Sequence, residues 1–529
     1  MPSTPFAIYG SHDSNVCVID PNSGQYITYE LERFTKARNY SLINDTKENF
    51  ERHMVMLKNL ISKELGITGY NSCFYAQLSL EHKKILERVF GFDHFEELSH
   101  HSGHAACGLY QSPFEKAIII SSDGGGHEMD DGVATFCVFV GDKSKSMNHV
   151  IKKIGRIELD VCHPYTLLAM PVKEIHKTDE WSKYLTYAGK IMGLAAYGEV
   201  QEEWIEPMSD FYYAYADIER MGVLGSKIKL SLGGINKIEG KDAHNLSATS
   251  QYVFEKLTLD AIRPFIQKYQ LPIVLTGGAA LNVLCNERIR KEFDYPVFVP
   301  VNPNDCGLAY GFTCLRNPPE KEQNIMYNGY PILDIEELPQ RVTKYCGKKV
   351  TSDEIAELIS EGNIIGVMKG RSEVGARALG HRSILCDPSF KGMKEKINAN
   401  IKFREYFRPF APVVRDKDHS LYFEEKSGSK FMSFAPKVRN EYREILSSIV
   451  HEDGTARVQS LSEKDNPWLY DVITKFKSIS NHGVLLNTSL NMKGAPIMTT
   501  IEDALIMLGS TKMDYLLIND YLFTKNALV

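Results

Sequence analysis

Short apolar runs bounded by glycine, proline, asparagine and aspartate recur along the first part of the chain. Phe6-Ala-Ile-Tyr9 and Val16-Cys-Val-Ile19 flank Gly10-Ser-His-Asp-Ser14 as strand, turn and strand. Tyr26–Tyr29 follows the turn signal Pro21-Asn-Ser-Gly24 as a third strand. From His53 to Leu65 the period changes. Met54, Leu57, Leu60 and Ile61 return at helical spacing and predict an amphipathic helix that packs on one side. Ile118-Ile-Ile120 and Val133–Val140 read as buried strands, 251–268 as a helix, and Pro272–Leu275 and Val297–Pro300 as further strands. Asn317–Asn324 is a polar loop, and the weakly periodic stretch to about Gly347 links to a second domain. That domain opens on the capping box Thr351-Ser-Asp-Glu354, a helix over 355–359 and the buried strand 364–368.

Strands alternating with helices predict the α/β class, and 529 residues suffice for two to four domains. Hydrophobic residues at 43% and charged residues at 24% are ordinary for a globular protein. The net charge of -6 supplies no general attraction to nucleic acid. No apolar run approaches a membrane span, and the N-terminal residues lack a signal pattern. Ten scattered cysteines without Cys-x-x-Cys pairs read as reduced core thiols. The expected location is cytoplasmic. The aromatics Phe211, Tyr213 and Tyr215 read as core in preference to an acceptor pocket, and Glu30–Lys36 as a charged cluster with the look of solvated surface.

His100 and His104 stand four residues apart, so on a helix both imidazoles leave one face. Asp123 ends an isoleucine-rich strand just before Gly124-Gly-Gly126, where open α/β sheets present ligands. Two neutral nitrogens and a carboxylate suit iron, manganese or zinc. Asp305, at a second strand-to-helix turn, is the proposed fourth ligand, with Gly307 and Gly311 permitting close helix packing. Gly277-Gly278, between a strand and Asn282, bring backbone N–H groups toward phosphate or adenosine. Gly189-Lys190 either approaches a phosphate or packs tightly. Two glycine-bearing strand–turn–strand units, each followed by ligands at strand ends, point to a duplicated domain of the actin-like ATPase type.

The second half carries a different chemistry. Lys369-Gly-Arg371, Arg377-Ala-Leu-Gly-His-Arg382-Ser383, Lys402-Phe-Arg404, Arg408 and Arg457 interleave arginine with small and apolar residues, unlike a solvated face. Guanidinium forks bind phosphate or carboxylate, so these residues read as a site for ATP and a small phosphorylated donor. Asn487-Thr-Ser489-Leu-Asn491 ends a buried strand with hydrogen-bonding side chains that suit a carbamoyl or carboxylate group.

Taken together, the chain resembles the NodU/CmcH/TobZ-type O-carbamoyltransferase family over nearly its whole length. The matching pieces are Gly10-Ser-His12-Asp13, Glu32-Arg33-Phe34, His100-x-x-x-His104, Asp123-Gly, Gly189-Lys190-x-Met-Gly-Leu-Ala, Gly277-Gly278-x-Ala-Leu-Asn282 and Asp305-x-Gly. In the second half they are Arg377-Ala-Leu-Gly-x-Arg382-Ser383-Ile, Lys402-x-Arg404-Glu405-x-Phe-Arg408-Pro-Phe, Asp453-Gly-Thr-Ala-Arg457 and Asn487-Thr-Ser489-x-Asn491. Ala376, Leu490 and Ala196 depart from the family's usual proline, phenylalanine and proline. The resemblance implies a Kae1-like duplicated actin-like ATPase (ASKHA) domain over 1–342 and a YrdC-like α/β domain over 343–529.

It also implies two steps. Carbamoyl phosphate and ATP, with Mg2+, form carbamoyl-adenylate in the second domain, where Arg377, Arg404 and Arg457 are the catalytic candidates. Arg371, Arg382, Ser383, Lys402, Arg408, Asn487, Ser489 and Asn491 are the binding candidates there, joined by Lys190, Gly277, Gly278 and Asn282 in the first. A hydroxyl acceptor then attacks beside a ferrous-type or other divalent transition metal held by His100, His104, Asp123 and Asp305. His12, with Asp13, is the candidate general base. The expected acceptor is a sugar or other small molecule. A 5-hydroxymethylpyrimidine in nucleotide or DNA, a threonylcarbamoyl-type tRNA modification enzyme and a non-catalytic nucleotide-binding regulator are the alternatives. No membrane partner is expected, and the assembly is a monomer or homodimer. His101, His127 and Glu128 stand beside the metal candidates with no role assigned.

Overall fold

The computed structural model describes residues 4–175, 181–213, 217–234, 237–320, 323–425 and 427–528. The chain is a mixed α/β protein that divides into two units. The first comprises Met1–Gly329 with Val374–Ala376, and the second Tyr330–Glu373 with Arg377–Val529. The division at Gly329 comes ahead of the one expected after 342, because 330–344 packs with the second unit and carries the short helix Leu338–Lys344.

The first unit is built on two five-stranded sheets. In one, β1 (Thr4–Tyr9) is flanked by β2 (Asn15–Ile19) and β3 (Tyr26–Glu30) on one side and by β4 (Tyr70–Ala76) and β5 (His94–Glu97) on the other. The β1–β2 and β2–β3 pairs are antiparallel, and the β1–β4 and β4–β5 pairs are parallel. The second sheet repeats this order and these senses with β6 (Lys116–Glu128) at its centre. Around it stand β7 (Gly132–Asp142), β8 (Ile151–Arg156), β9 (Ile273–Thr276) and β10 (Val297–Phe298). The amphipathic helix expected from His53 begins earlier, at Lys47, where Thr46 caps it. Met54, Leu57 and Ile61 are buried as their spacing predicts.

Three helices position the site: α1 (His100–Gln111), α2 (Gly240–Tyr269) and α3 (Leu308–Arg316). α1 and α3 meet backbone to backbone, because a Cβ on Gly311 would stand 2.0 Å from Gly103 O, and one on Gly103 would stand 2.4 Å from the Phe312 ring. Glycine at both positions is what lets the histidine-bearing helix approach the Asp305 turn.

In the Glu30–Lys36 cluster, Glu30 and Arg33 are not solvated as expected, whereas Lys36 is exposed. Glu30 and Arg33 form a buried ion pair on one face of a short helix. Their partner is remote in sequence: Gly375 N–H donates to Glu30, and Arg33 Nη2 donates to Gly375 O at 2.8 Å. Gly375 takes φ +84°, and a Cβ there would meet Val301 O at 2.5 Å. Phe211 is buried as expected, Tyr213 is exposed, and Tyr215 lies outside the described residues. All ten cysteines are free, eight of them buried.

The second unit is built on an eight-stranded mixed sheet. Its order is β11 (Lys348–Lys349), β18 (Tyr521–Thr524), β17 (Tyr515–Ile518), β12 (Ile365–Met368), β13 (Arg382–Cys386), β16 (Val484–Ser489), β14 (Ala411–Arg415) and β15 (Gln459–Leu461). Its central strands are buried on both faces, between the helix Ser352–Ser360 with its Thr351/Glu354 capping box and a second core of isoleucine, methionine and phenylalanine.

Candidate metal centre and anion site

His100 and His104 sit on one face of α1, as their spacing requires, with Nε2 atoms 3.1 Å apart. The β6–β7 register slips between Ser122 and Gly126, and this bulge turns Asp123 toward the histidines. Asp123 Oδ2 stands 3.4 Å from His104 Nε2. Asp305 Oδ1 stands 3.3 Å from the same nitrogen and 3.6 Å from His100 Nε2. The four ligand atoms lie within 4.8 Å of one another, and all four residues are buried.

Two glycines make room. A Cβ on Gly126 would fall 2.0 Å from His100 Cγ, and one on Gly277, at φ +86°, would fall 2.1 Å from Ser122 O. Gly278 N–H donates to Asp123 Oδ2, so this N–H, read from sequence as a phosphate donor, holds a carboxylate of the cluster. Asn15 donates to Asp305 O at 2.8 Å and accepts from Ala309 N–H at 3.0 Å, tying the Asp305 turn to the first sheet.

The donor set fits a divalent transition metal. Asp305 Oδ1 is buried with no hydrogen-bond donor, a lone pair that a cation would satisfy. Burial lowers the His104 pKa, but Asp123 and Asp305 outweigh it and hold the ring at about 9. Burial raises Asp123, and the histidines pull it below the usual carboxylate range. Positive charge is what this pocket stabilises.

His12 is 40% exposed beside the cluster, with Nδ1 3.3 Å from Asp13 Oδ2 and Nε2 3.5 Å from Asp305 Oδ2. Burial lowers its pKa, yet Asp305 and Asp13 bring it up to about 10. A base at this position therefore needs the carboxylate charge offset by a cation. Asp13 also accepts from Asn39 Nδ2 at 2.8 Å.

The three unassigned neighbours separate cleanly. His101 turns away from the cluster: Nε2 donates to Ala134 O at 2.9 Å, and Nδ1 faces Ser121 Oγ at 2.7 Å. Burial pushes it down to about 3, so it stays neutral. Glu128 accepts His101 N–H at 2.7 Å at the start of α1, and His127 is exposed.

Sequence reasoning missed Asp160 and His163. Asp160 Oδ1 accepts the Cys162 and His163 N–H groups at 2.9 and 3.1 Å, and its other oxygen takes His163 Nδ1 at 2.7 Å. A Cβ on Gly124 would stand 3.9 Å from His163 Nε2, which places this ring beside the Asp123 bulge. The Asp-x-x-His spacing after a turn was the available signal.

Two first-unit binding candidates are engaged within the protein. Asn282 caps the helix Val283–Glu292 and pairs with Gln251 at 3.0 Å. Lys190 lies on the helix Tyr187–Leu194 with Nζ 3.3 Å from Ile175 O.

In the second unit, Arg377, Arg404, Arg408 and Arg457 are near enough for their charges to interact. Burial pushes Arg457 well below its usual range, and the charges of Arg377, Arg404 and Arg408 add to the effect. Arg404 is lowered in the same way, by burial and then Arg408. It lies over the Phe410 ring at 4.3 Å and donates to Asn398 Oδ1 at 2.8 Å. Crowded guanidiniums remain charged, and their mutual repulsion is relieved by a polyanion.

Lys402 is buried, with Nζ donating to Ser489 O at 2.8 Å, Asn491 O at 3.0 Å and Asn491 Oδ1 at 2.5 Å. Asn487 donates to Gln459 Oε1 at 2.8 Å and Ala378 O at 3.2 Å. Arg371 and Arg377 are half-buried at the loop before β13. Arg382 and Ser383, expected to bind nucleotide, are fully buried and bonded to that loop's backbone.

The first unit thus carries a buried histidine and aspartate cluster of metal-binding type, and the second unit a group of interacting arginines. The carbamoyltransferase N-terminal family matches residues 60–314 and the carbamoyltransferase C-terminal family residues 356–525. The chain belongs to the carbamoyltransferase family and is a carbamoyltransferase, related to the NodU and NolO proteins. Nodulation protein NolO of Bradyrhizobium diazoefficiens is 30% identical over 81% of this chain and 79% of its own length. An uncharacterized protein of Methanocaldococcus jannaschii is 29% identical over 94% and 84%. Nodulation protein U of Azorhizobium caulinodans is 26% identical over 79% and 76%. Among solved structures, full-length HypF in its phosphate- and nucleotide-bound form aligns at TM-score 0.36 and 14% identity, over 59% of this chain and 55% of that one. Among the described residues no helix is long and apolar enough to cross a membrane.

Proposed function

We propose that the protein is an ATP-dependent O-carbamoyltransferase acting in two steps. The convergence of His100, His104, Asp123 and Asp305 on one point carries the reading. The second unit, read as YrdC-like, hydrolyses carbamoyl phosphate to carbamate and phosphate. It then joins carbamate to ATP, giving carbamoyl-adenylate and pyrophosphate. Arg377, Arg404, Arg408 and Arg457 offset the charge on the phosphoryl groups during both events, and Lys402 with the Asn487–Asn491 strand end receives the small carbamoyl or carbamate group.

The first unit, read as a Kae1-like duplicated actin-like ATPase domain on its two like-ordered sheets, carries out the transfer. The acceptor oxygen attacks the carbamoyl carbon, the bond to the adenylate oxygen breaks, and AMP leaves. His12 takes the acceptor's proton, and its contact with Asp13 supports this role. His100, His104, Asp123 and Asp305 would hold iron or another divalent metal, which when bound lends Lewis acidity to the reacting oxygens. The acceptor is a hydroxyl of a sugar or other small molecule, and the protein works in the cytoplasm as a monomer or homodimer. A screen of sugars, nucleosides and hydroxymethylated DNA with ATP, Mg2+ and carbamoyl phosphate tests this by mass shift. The expected result is AMP together with an acceptor heavier by one carbamoyl group. AMP formation that does not depend on carbamoyl phosphate overturns the reading.

A further inference from the structure

The loop that carries Arg371 and Arg377 is closed by two oppositely charged side chains, Glu373 and Arg382, both 0% exposed. Glu373 Oε1 accepts the backbone N–H groups of Leu379, His381 and Arg382 at 2.7, 2.8 and 3.1 Å. Arg382 does the converse with carbonyls. Its Nη1 donates to Lys369 O at 2.7 Å and His381 O at 3.0 Å, and its Nη2 to Gly370 O at 2.9 Å. Two smaller bonds complete the frame: His381 Nδ1 to Arg371 O at 2.7 Å, and Gly380 N–H to Ser383 Oγ at 2.9 Å.

Ordinary loops are held by turn residues, and burying a carboxylate and a guanidinium is an expensive way to hold one. The expense is intelligible where the backbone is otherwise loose. Gly370 and Gly380 both adopt positive φ, at +43° and +122°, where glycine leaves the chain most freedom. Arg371 and Arg377, by contrast, are half-buried and reach the surface of the unit. Charge inside the loop fixes the charge that the loop displays. An arginine meant to grip phosphate needs this support, because its long side chain otherwise multiplies small backbone errors.

We propose that Glu373 and Arg382 are positioning residues that hold Arg377 toward the anion site, and that Arg382 touches no substrate. This rests on the second unit being the adenylate-forming one. Carbamoyl-phosphate-dependent exchange of labelled pyrophosphate into ATP reads that step alone and needs no acceptor, so full-length protein can be used directly. Glu373→Gln and Arg382→Lys are each expected to lower the exchange rate about 10–100-fold in protein that melts as the parent does. The double variant is expected to fall no further than the weaker single, because both side chains hold one loop.

Losses that multiply in the double variant overturn the proposal, since they give Arg382 an independent contact. So does either single variant exchanging at the parental rate, including one whose only change is a lower melting temperature. If Arg382→Lys does not fold, Ser383→Ala replaces it in the cycle with the same expectation of non-multiplying losses. A parent that shows no exchange removes the adenylate reading itself, whereas a parent that exchanges beside unchanged variants removes only the positioning role.

Discussion

The Tyr9 hydroxyl donates to Asp305 Oδ2 at 2.7 Å, and the Tyr9 ring meets the His100 ring edge-on at 5.7 Å. One buried side chain from the first strand thus steadies two members of the metal cluster, leaving Asp305 Oδ1 turned to the histidines. Tyr9→Phe keeps the ring contact and removes the hydroxyl. Affinity for Co2+ or Fe2+, measured by competition with a chelator, is expected to fall about 10–100-fold with little change in melting temperature.

The two sites separate by mutation. His100→Ala is expected to spare carbamoyl-phosphate-dependent pyrophosphate exchange and to abolish carbamoylation of the acceptor. Arg377→Ala is expected to abolish exchange. Product analysis by mass and exchange of labelled pyrophosphate, run on both variants, check the assignment. Two variants that behave alike would remove the two-site scheme.

Gly126 admits the His100 imidazole, and any Cβ would overlap the ring at 2.0 Å. Gly126→Ala is therefore expected to displace His100, lowering stability by about 1–3 kcal/mol and weakening metal binding together. Urea unfolding and Co2+ titration measure the two effects. Alanine at Gly24, where nothing lies within 4 Å but φ is +69°, is a control for backbone strain alone.

Asp453 lies on the turn before Arg457. Burial raises its carboxyl, but His451 and the N–H and hydroxyl of Thr455, at 2.9 and 2.7 Å, bring it down to about 2. A folded pKa below the unfolded one means the stabilisation is fully present above about pH 4 and is lost as pH falls through about 2. Acid unfolding of the parent is expected to show a decline of about 2 kcal/mol across that window. Asp453→Asn should lack it.

Much of the local structure was legible from residue order. The spacing of Met54, Leu57 and Ile61 specifies which face of their helix is buried, and the Thr351/Glu354 box specifies where the helix Ser352–Ser360 starts. His100 and His104 share a face for the same geometric reason, and the glycines after Asp123 announce a backbone irregularity. Periodicity of this kind is set by the backbone's own dihedral angles, so neighbours in the chain suffice to determine it.

Tertiary structure alone decided which of these features meet and which charges face water. Glu30 and Arg33 read as surface because charged clusters usually are, and they are buried because a peptide far along the chain satisfies both. Gly278 N–H and Arg382 have the composition of phosphate binders, yet one holds Asp123 and the other holds its own loop. Tyr9 had no local mark at all. A hydrogen-bonding group is defined by the partner it finds, and strand register and helix crossing choose partners across hundreds of residues, where no spacing rule reaches.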